Sequence, residues 1–364
     1  MSNPTPTTNG DETESLKRCI ERSPRLWDEM QKHPSRFRVL TGERTTGTLH
    51  IGHYFSSLKS RVKLQGWGME IFLILADYQA ITDRKSTESL KSSIRDIILD
   101  YLAVGIDPQK ATVFCHSMVP SLNQLLLPFL SVVSMSELQR NPTVKEEIAL
   151  LGTRSVSGLM MTYPVHQAAD ILFCKGNVVP GGKDQLPHVE LTRSIARRIN
   201  NDYFHGEPFF PEPELLMGDV PILLGLDGRK MGKSLNNSIQ IKMSADETAQ
   251  LIKRAKTDSE RNITYDPIQR PEVANLLLIY SLCTGADPAA IASQIGSQGA
   301  SVLKKELTEV VNEYFQPMRE RRKRYEQDES QVWEILKQGN IKANQIADKT
   351  LNDLRAAMHM QYYG

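Results

Sequence analysis

Residues 40–54 read LTGERTTGTLHIGHY. Just upstream, Phe37-Arg38-Val39-Leu40 has the apolar and β-branched content of a short strand, which Thr41 and Gly42 end. Gly47 and Gly52 then interrupt a run of small and polar residues, where missing Cβ atoms let backbone approach a ligand. From His53 the pattern turns helical, with Tyr54, Leu58 and Val62 recurring every four residues. Strand, glycine turn and helix start together make an anion site, because unpaired N–H groups and the helix dipole face the ligand. His50 and His53, three positions apart, can lie beside one phosphate and donate to charge that builds in a transition state. Taken alone, such a turn is common, and it is neither a Walker loop nor a dinucleotide fingerprint.

The remainder of the chain sets bounds. At 364 residues, one or two domains are expected, with length enough for a sizeable core. A net charge of +1 gives no global nucleic-acid signal, so any RNA contact must come from local patches. Cys19, Cys115, Cys174 and Cys283 are widely spaced and form no CxxC pair, which argues against a zinc site or a disulfide framework and fits a reducing cytoplasm. No metal-ligand signature stands out. No apolar run approaches the length of a membrane span.

Residues 1–13 are rich in Pro, Thr and Asn and read as disordered; residues 14–33 read as a helix that Pro24 breaks or restarts. This extension, 1–35, reads as a tail or docking segment. From 36 to 238 strand and helix patterns alternate. Ile71–Ala76 is a continuous apolar run ending at Asp77, as in a buried parallel strand with a functional carboxyl end. The spacing predicts helices over 88–104 with Gly105 as C-cap, 120–138, 165–173 and 185–201, a strand over 111–115, and a mobile loop at 141–147. The expected fold class is α/β, a doubly wound parallel sheet. From 239 to 364 strand signals fade, and helices are predicted after the Ser244–Glu247 capping box and over 271–283, 288–294, 299–327, 330–337 and 343–359.

Residues 228–234, GRKMGKS, fall on the predicted interdomain loop. Lys230 and Lys233, with Gly232 allowing close approach, suit a flexible clamp on a polyphosphate. A K-x-x-K alone is usually a solvated loop. Paired with the distant HIGH turn, it resembles the signature set of class I aminoacyl-tRNA synthetases. The segments 162–172, TYPVHQAADIL, and 179–193, VPGGKDQLPHVELTR, resemble the amino-acid and ribose segments of the tryptophanyl members, and the likeness runs from about Arg38 to the C-terminus. An indole offers a single polar handle, a donor N–H, and Asp170 between Ala169 and Ile171 supplies one acceptor in an apolar wall.

The resemblance implies activation of L-tryptophan with ATP and Mg²⁺, then transfer to tRNA(Trp), by a homodimer. His50, His53, Lys230 and Lys233 would be catalytic. Arg44, Thr45, Gly52, Gly182, Lys183, Asp184, Gln185, Leu223, Met231 and Ser234 would join His53 and the lysines around ATP, with Lys145 a further phosphate candidate. Thr41, Gly42, Gln79, Tyr163, Gln167, Asp170, Val179 and Gly181 would surround tryptophan. Arg319, Arg321, Arg322, Lys323 and Arg324, beside Tyr325, form the clearest local basic run and the candidate RNA contact. The chain departs from the family pattern at Gln79, Gln167, Gly181 and Gly232, which points to an altered pocket edge, as in second-type bacterial enzymes, and to altered sensitivity to indole-containing inhibitors. Rival readings are a tyrosyl-tRNA synthetase, a synthetase paralogue that acts by binding, and a small-molecule adenylyltransferase. The long helical C-terminal third argues against the last.

Overall fold

The computed structural model describes residues 14–82, 87–151, 155–218, 222–232 and 235–362. Five strands form one parallel sheet: β1 (Arg38–Arg44), β2 (Glu70–Ala76), β3 (Ala111–Cys115), β4 (Val178–Gly181) and β5 (Glu214–Met217), in the order β3-β2-β1-β4-β5. This is the doubly wound architecture expected. Both faces are buried: Val39, Ile71, Leu73, Leu75, Val113 and Val178 pack into one cluster, and Leu40, Phe72, Ile74, Phe114, Val179 and Leu215 into the other.

β1 does not end at Thr41. Its ladder with β2 continues through Gly42↔Ile74 to Arg44↔Ala76. Gly42 is what allows this, because a Cβ there would collide with the Ile74 carbonyl oxygen. On its other side β1 pairs with β4 only at Val39↔Val178. The chain winds from β1 to β2 and β3 in one direction and places β4 and β5 in the other. The reversal falls between β1 and β4, the topological switch point where open α/β sheets bind ligands beyond their carboxyl ends. β4 and β5 are short, and β4 contains Pro180, so neither carries a strong strand signal in the sequence.

The helices are α1 (Glu14–Lys32), α2 (Ile51–His53), α3 (Lys59–Gly66), α4 (Leu90–Val104), α5 (Pro120–Gln124), α6 (Leu126–Ser131), α7 (Met135–Arg140), α8 (Pro142–Leu151), α9 (Gly158–Leu172) and α10 (Leu186–Phe204). After the sheet come α11 (Ala245–Lys253), α12 (Pro271–Thr284), α13 (Pro288–Ile295), α14 (Ala300–Glu326) and α15 (Glu329–Ala357). A π-helical turn, Tyr54–Leu58, joins α2 to α3. Gly105 takes the left-handed C-cap of α4 at φ 103°, and Ser244 with Glu247 closes the capping box of α11, both as expected.

Four expectations about the helices are corrected. Pro24 lies inside a continuous α1. The helix expected over 120–138 is three short ones. The loop expected at 141–147 is the start of α8, where Pro142 takes the first turn and Asn141 Oδ1 accepts from the N–H groups of Thr143 and Val144 at 3.0 and 3.3 Å. The last two expected helices are one, α15. Gly339 within it is a contact residue, since a Cβ there would strike the Val113 carbonyl of β3.

Candidate active site

The two signature segments are stitched together. Ile51 N–H donates to Ile239 O at 2.9 Å, Ile241 N–H to Leu49 O at 3.0 Å, and Thr48 Oγ1 to Gln240 Oε1 at 2.9 Å. The backbone flanking the lysine loop thus pairs with the backbone flanking the histidine turn. His50 is buried, and its ring centroid lies 3.8 Å from that of His53. The His50 backbone N–H donates to His53 Nδ1 at 3.3 Å. A neutral His53 therefore carries its proton on Nε2. Over Gly52 lie the His50 ring and the Met231 sulfur, each about where a Cβ would make a tight contact. A ligand laid against Gly52 has to move one of them.

The lysine loop is organised by a residue the sequence reading passed over. Asn237 is buried; its Oδ1 accepts from Gly232 N–H at 3.1 Å, and its Nδ2 donates to Asp227 Oδ1 at 2.9 Å and Lys230 O at 3.1 Å. With those side-chain bonds the hairpin Leu224↔Lys230 holds Lys230 at the surface and Met231 inward. Leu223 is in the core, and Leu224 bonds both ways to Asn275. Lys233 and Ser234 lie outside the described residues.

The carboxyl ends of the strands bring most of the expected amino-acid pocket together. Thr41 and Thr45 are buried at the end of β1. Arg44 Nη2 donates to Thr82 Oγ1 at 3.1 Å and Gln79 O at 3.4 Å, and its Nη1 lies 3.9 Å from Glu147 of α8. Arg44 thus spans the top of the crevice, while Lys145 is exposed on α8. Gln167 Nε2 donates to Gln185 Oε1 at 2.9 Å, and Gln185 Nε2 to Asp184 Oδ2 at 2.8 Å, which ties α9 to the turn after β4. The glycines of that turn are tightly overlaid: a Cβ at Gly181 would press on Gln185, and one at Gly182 on Asp184. Lys183 and Asp184 are exposed there, and Val179 is buried on β4. Tyr163 is buried, and burial first, with Glu147 beside it, holds its phenol well above the usual range.

Asp170 is buried on α9, as its apolar neighbours suggest, but it has company. His116 Nε2, just after β3, lies 2.8 Å from Asp170 Oδ1, at ion-pair distance though not aligned as a hydrogen bond. His166, one turn before Asp170, places its ring centroid 4.6 Å from that of His116, and the Tyr78 ring lies near both, at 6.2 and 6.3 Å. The histidines were missed by the sequence reading. His166 stands within the quoted 162–172 segment, and His116 follows a strand at its carboxyl end, the position where α/β sheets place ligands. Asp77, singled out at the end of β2, accepts from the N–H groups of Tyr78 and Ser117 and from the Ser117 hydroxyl, and so fixes the turn that carries His116.

The basic run is corrected. Arg322 is buried: its guanidinium reaches Asp100 at 2.5 Å, Glu326 at 2.8 Å and Asp96 at 3.4 Å. Arg321 donates to Ala103 O at 2.7 Å, and Arg319 to Asn312 Oδ1 and Thr248 Oγ1, each at 2.8 Å. These three staple α14 to α4 and α11. Lys323 and Arg324 remain exposed.

The family model described as tRNA synthetases class I (W and Y) matches residues 32–316. The chain is 39% identical over 335 residues to the tryptophan–tRNA ligase of Clostridium longisporum, covering 89% of this chain and 97% of that one. It is 40% identical over 339 residues to that of Streptococcus pyogenes serotype M1, covering 89% and 98%. Among solved structures, the Campylobacter jejuni tryptophanyl-tRNA synthetase complexed with ADP and tryptophan superposes with a TM-score of 0.76 at 33% identity, covering 89% of this chain and 100% of that one. The tyrosyl-tRNA synthetase of Archaeoglobus fulgidus shares the fold at 22% identity, with a TM-score of 0.62, 84% of this chain and 94% of that one. The chain belongs to the class I tRNA synthetases of the tryptophan and tyrosine (W and Y) family.

Proposed function

We propose that the protein is a tryptophan–tRNA ligase, which joins L-tryptophan to ATP as tryptophanyl-adenylate and then passes the tryptophanyl group to tRNA(Trp). The observation that carries this is the backbone pairing of Leu49–Ile51 with Ile239–Ile241, which brings histidine turn and lysine loop to one crevice. The buried carboxylate of Asp170 supports an indole N–H donor as the group recognised. The identity to tryptophan–tRNA ligases supports tryptophan over tyrosine.

The tryptophan carboxylate attacks the α-phosphorus in line and pyrophosphate leaves. The protein positions the reactants and meets the developing charge. His53 Nε2–H and His50 donate to the α-phosphate. Lys230, with Lys233 and Ser234, draws the leaving pyrophosphate. Arg44 orders the crevice roof. Asp184 and Gln185 meet the ribose or the α-amino group. The donors at the crossing are imidazoles and lysine, and the one His/Cys/Asp/Glu group of metal-ligand spacing among the described residues is away at Asp170. That set fits Mg²⁺ arriving on the triphosphate, where it neutralises phosphate charge, rather than a resident ion. Residues 36–238 form the catalytic unit and 239–364 the part that meets tRNA, with Lys323 and Arg324 as the remaining basic contacts. The exposed apolar side chains of Met118, Leu127 and Met135, all between β3 and α8, support a homodimer. No single described helix is long and apolar enough to cross a membrane, and the proposed place of action is the cytoplasm.

The test is amino-acid-dependent ATP–pyrophosphate exchange with tryptophan and tyrosine side by side. Exchange with tryptophan alone is expected, and Asp170→Asn should lower kcat/KM for tryptophan by about 10- to 100-fold, the loss of one buried charge-assisted hydrogen bond. Exchange with tyrosine alone moves the specificity. Exchange with neither leaves a binding protein.

A further inference from the structure

We propose that His116, His166 and Asp170 form a binding site for a Zn²⁺-class divalent cation, and that the cation and the indole of tryptophan exclude one another there. The three side chains come from two elements. His166 and Asp170 stand one turn apart on α9, on the same face, and His116 follows β3. They are 4%, 2% and 0% exposed, and one ligand atom of each lies within 4.8 Å of those of the other two.

The chemistry of the set is specific. Two imidazoles and one carboxylate suit zinc and its borderline neighbours; magnesium and calcium prefer all-oxygen shells. The contact of 2.8 Å between His116 Nε2 and Asp170 Oδ1 has only to open by about half an ångström to take an ion with bonds of about 2.0–2.2 Å to each. His116 is fully enclosed, and neither of its ring nitrogens has an aligned hydrogen-bond partner. Buried polar atoms are seldom left so, and an ion beside Nε2 supplies the partner.

A supporting residue is in place. Asn123 Nδ2 donates to His116 O at 2.8 Å and Val119 O at 3.0 Å, so its Oδ1 faces the other way, 2.7 Å from His166 Nε2. A neutral His166 must donate through Nε2, which leaves Nδ1 as the bare lone pair. A ligating histidine held through its second nitrogen by a carbonyl is the usual arrangement around bound metal. Tyr78, which is exposed, has its ring centroid 6.2 Å from that of His116 and 6.3 Å from that of His166.

The exclusion of tryptophan rests on the proposed function, since it takes Asp170 as the indole acceptor; the metal site itself does not. The full-length protein, stripped with chelator and dialysed, is titrated with Co²⁺, followed by its visible absorption, and then with Zn²⁺ in competition. One ion per chain is expected, with affinity falling about 10- to 100-fold in His116→Gln and in His166→Leu. The apparent Zn²⁺ affinity should also fall in proportion to added L-tryptophan. Far-UV circular dichroism establishes that each variant is folded; two chemically different variants guard against a single misfolded one. Absence of stoichiometric binding, or binding unchanged in both folded variants, overturns the site. Zn²⁺ binding that L-tryptophan leaves untouched, in an enzyme that exchanges with tryptophan, overturns the exclusion. Zn²⁺ binding lost in both variants, in a protein without tryptophan exchange, keeps the site and removes the functional reading instead.

Discussion

At the scale of single residues, burial decides what the titratable groups do. His188 opens α10, sits with its ring centroid 5.4 Å from that of Tyr163, and is 2% exposed. Burial pushes its imidazole down to about 4, against the pull of Asp184. In the unfolded chain the same ring titrates near 6.5. Above pH 6.5 both states are neutral and nothing is lost. Between 6.5 and about 4 the unfolded state takes up the proton first, so stability falls by roughly 3 kcal/mol across that window. Urea midpoints measured from pH 7.5 to 4.5 should show this loss, and His188→Gln should flatten that part of the profile; a wild-type and variant profile of the same slope would exclude His188 as its source. Residue placement was legible in the sequence where type and local spacing suffice, as for His50 beside His53, or Asp170 buried in its apolar helix. It was not legible where the tertiary fold supplies the neighbour: His116 follows β3 and meets Asp170 of α9, far away in the sequence. Arg319, Arg321 and Arg322 misled for the same reason, since a basic run looks alike whether its partners are phosphates or the groups of another helix.

At the scale of elements, both edges of the sheet are closed by helices from the two ends of the chain. On β5, Leu215 O lies 3.5 Å from the Cys19 thiol, and Met217 N–H donates to Ser23 Oγ at 3.1 Å; Cys19 and Ser23 are one turn apart on α1. Arg22 adds an ion pair to Glu214 at 2.7 Å. On β3, Cys115 N–H donates to Asn340 Oδ1 at 3.0 Å, and Gly339 lets α15 come down onto Val113. Open strand edges template pairing with other chains, and these two are covered. α1 lies ahead of the region matched by the family model, save for its last residue, Lys32. Removing residues 1–32 should lower the unfolding midpoint and produce concentration-dependent self-association in sedimentation velocity, while Ser23→Ala alone should cost about 1 kcal/mol. A truncated chain with the mass and midpoint of the intact one would show that the β5 edge needs no cover. The sequence announced most helices well, through caps such as Ser244–Glu247 and Gly105. It mis-drew them at Pro24 and Gly339. Pro24 is carried by a helix whose stability comes from packing on β5, and Gly339 answers a close approach rather than a break.

At the scale of the whole molecule, one buried ion pair links the helical C-terminal part to the histidine turn. Arg322 of α14 binds Asp100 of α4, and the other oxygen of Asp100 accepts the backbone N–H of Leu49 at 2.8 Å, one residue before His50. Asp96, one turn earlier on α4, meets both Arg322 and Lys242, which follows the lysine loop. α4 thus ties the histidine turn and the backbone after the lysine loop to α14. Burial pushes the Asp100 carboxyl up to about 7, while Arg322 and the Leu49 N–H pull it down. Arg322→Met removes the larger pull and leaves the Asp100 carboxyl enclosed without its cation, a loss of about 3–5 kcal/mol where that carboxyl is ionised. Because the folded pKa then lies further above the unfolded value, the deficit should grow as pH rises, larger at pH 8 than at pH 6. Asp100→Asn added to Arg322→Met takes the stranded charge away and should recover much of the stability, so the two changes are expected to be non-additive by at least about 1 kcal/mol in a double-mutant cycle. In exchange assays on the folded variants, kcat should fall with the loosened Leu49–His50 turn while KM for tryptophan, which the proposed function sets at Asp170, holds. Additive stability losses, or a folded Arg322→Met enzyme with full kcat, would mean that α14 merely packs against α4 and transmits nothing to the turn.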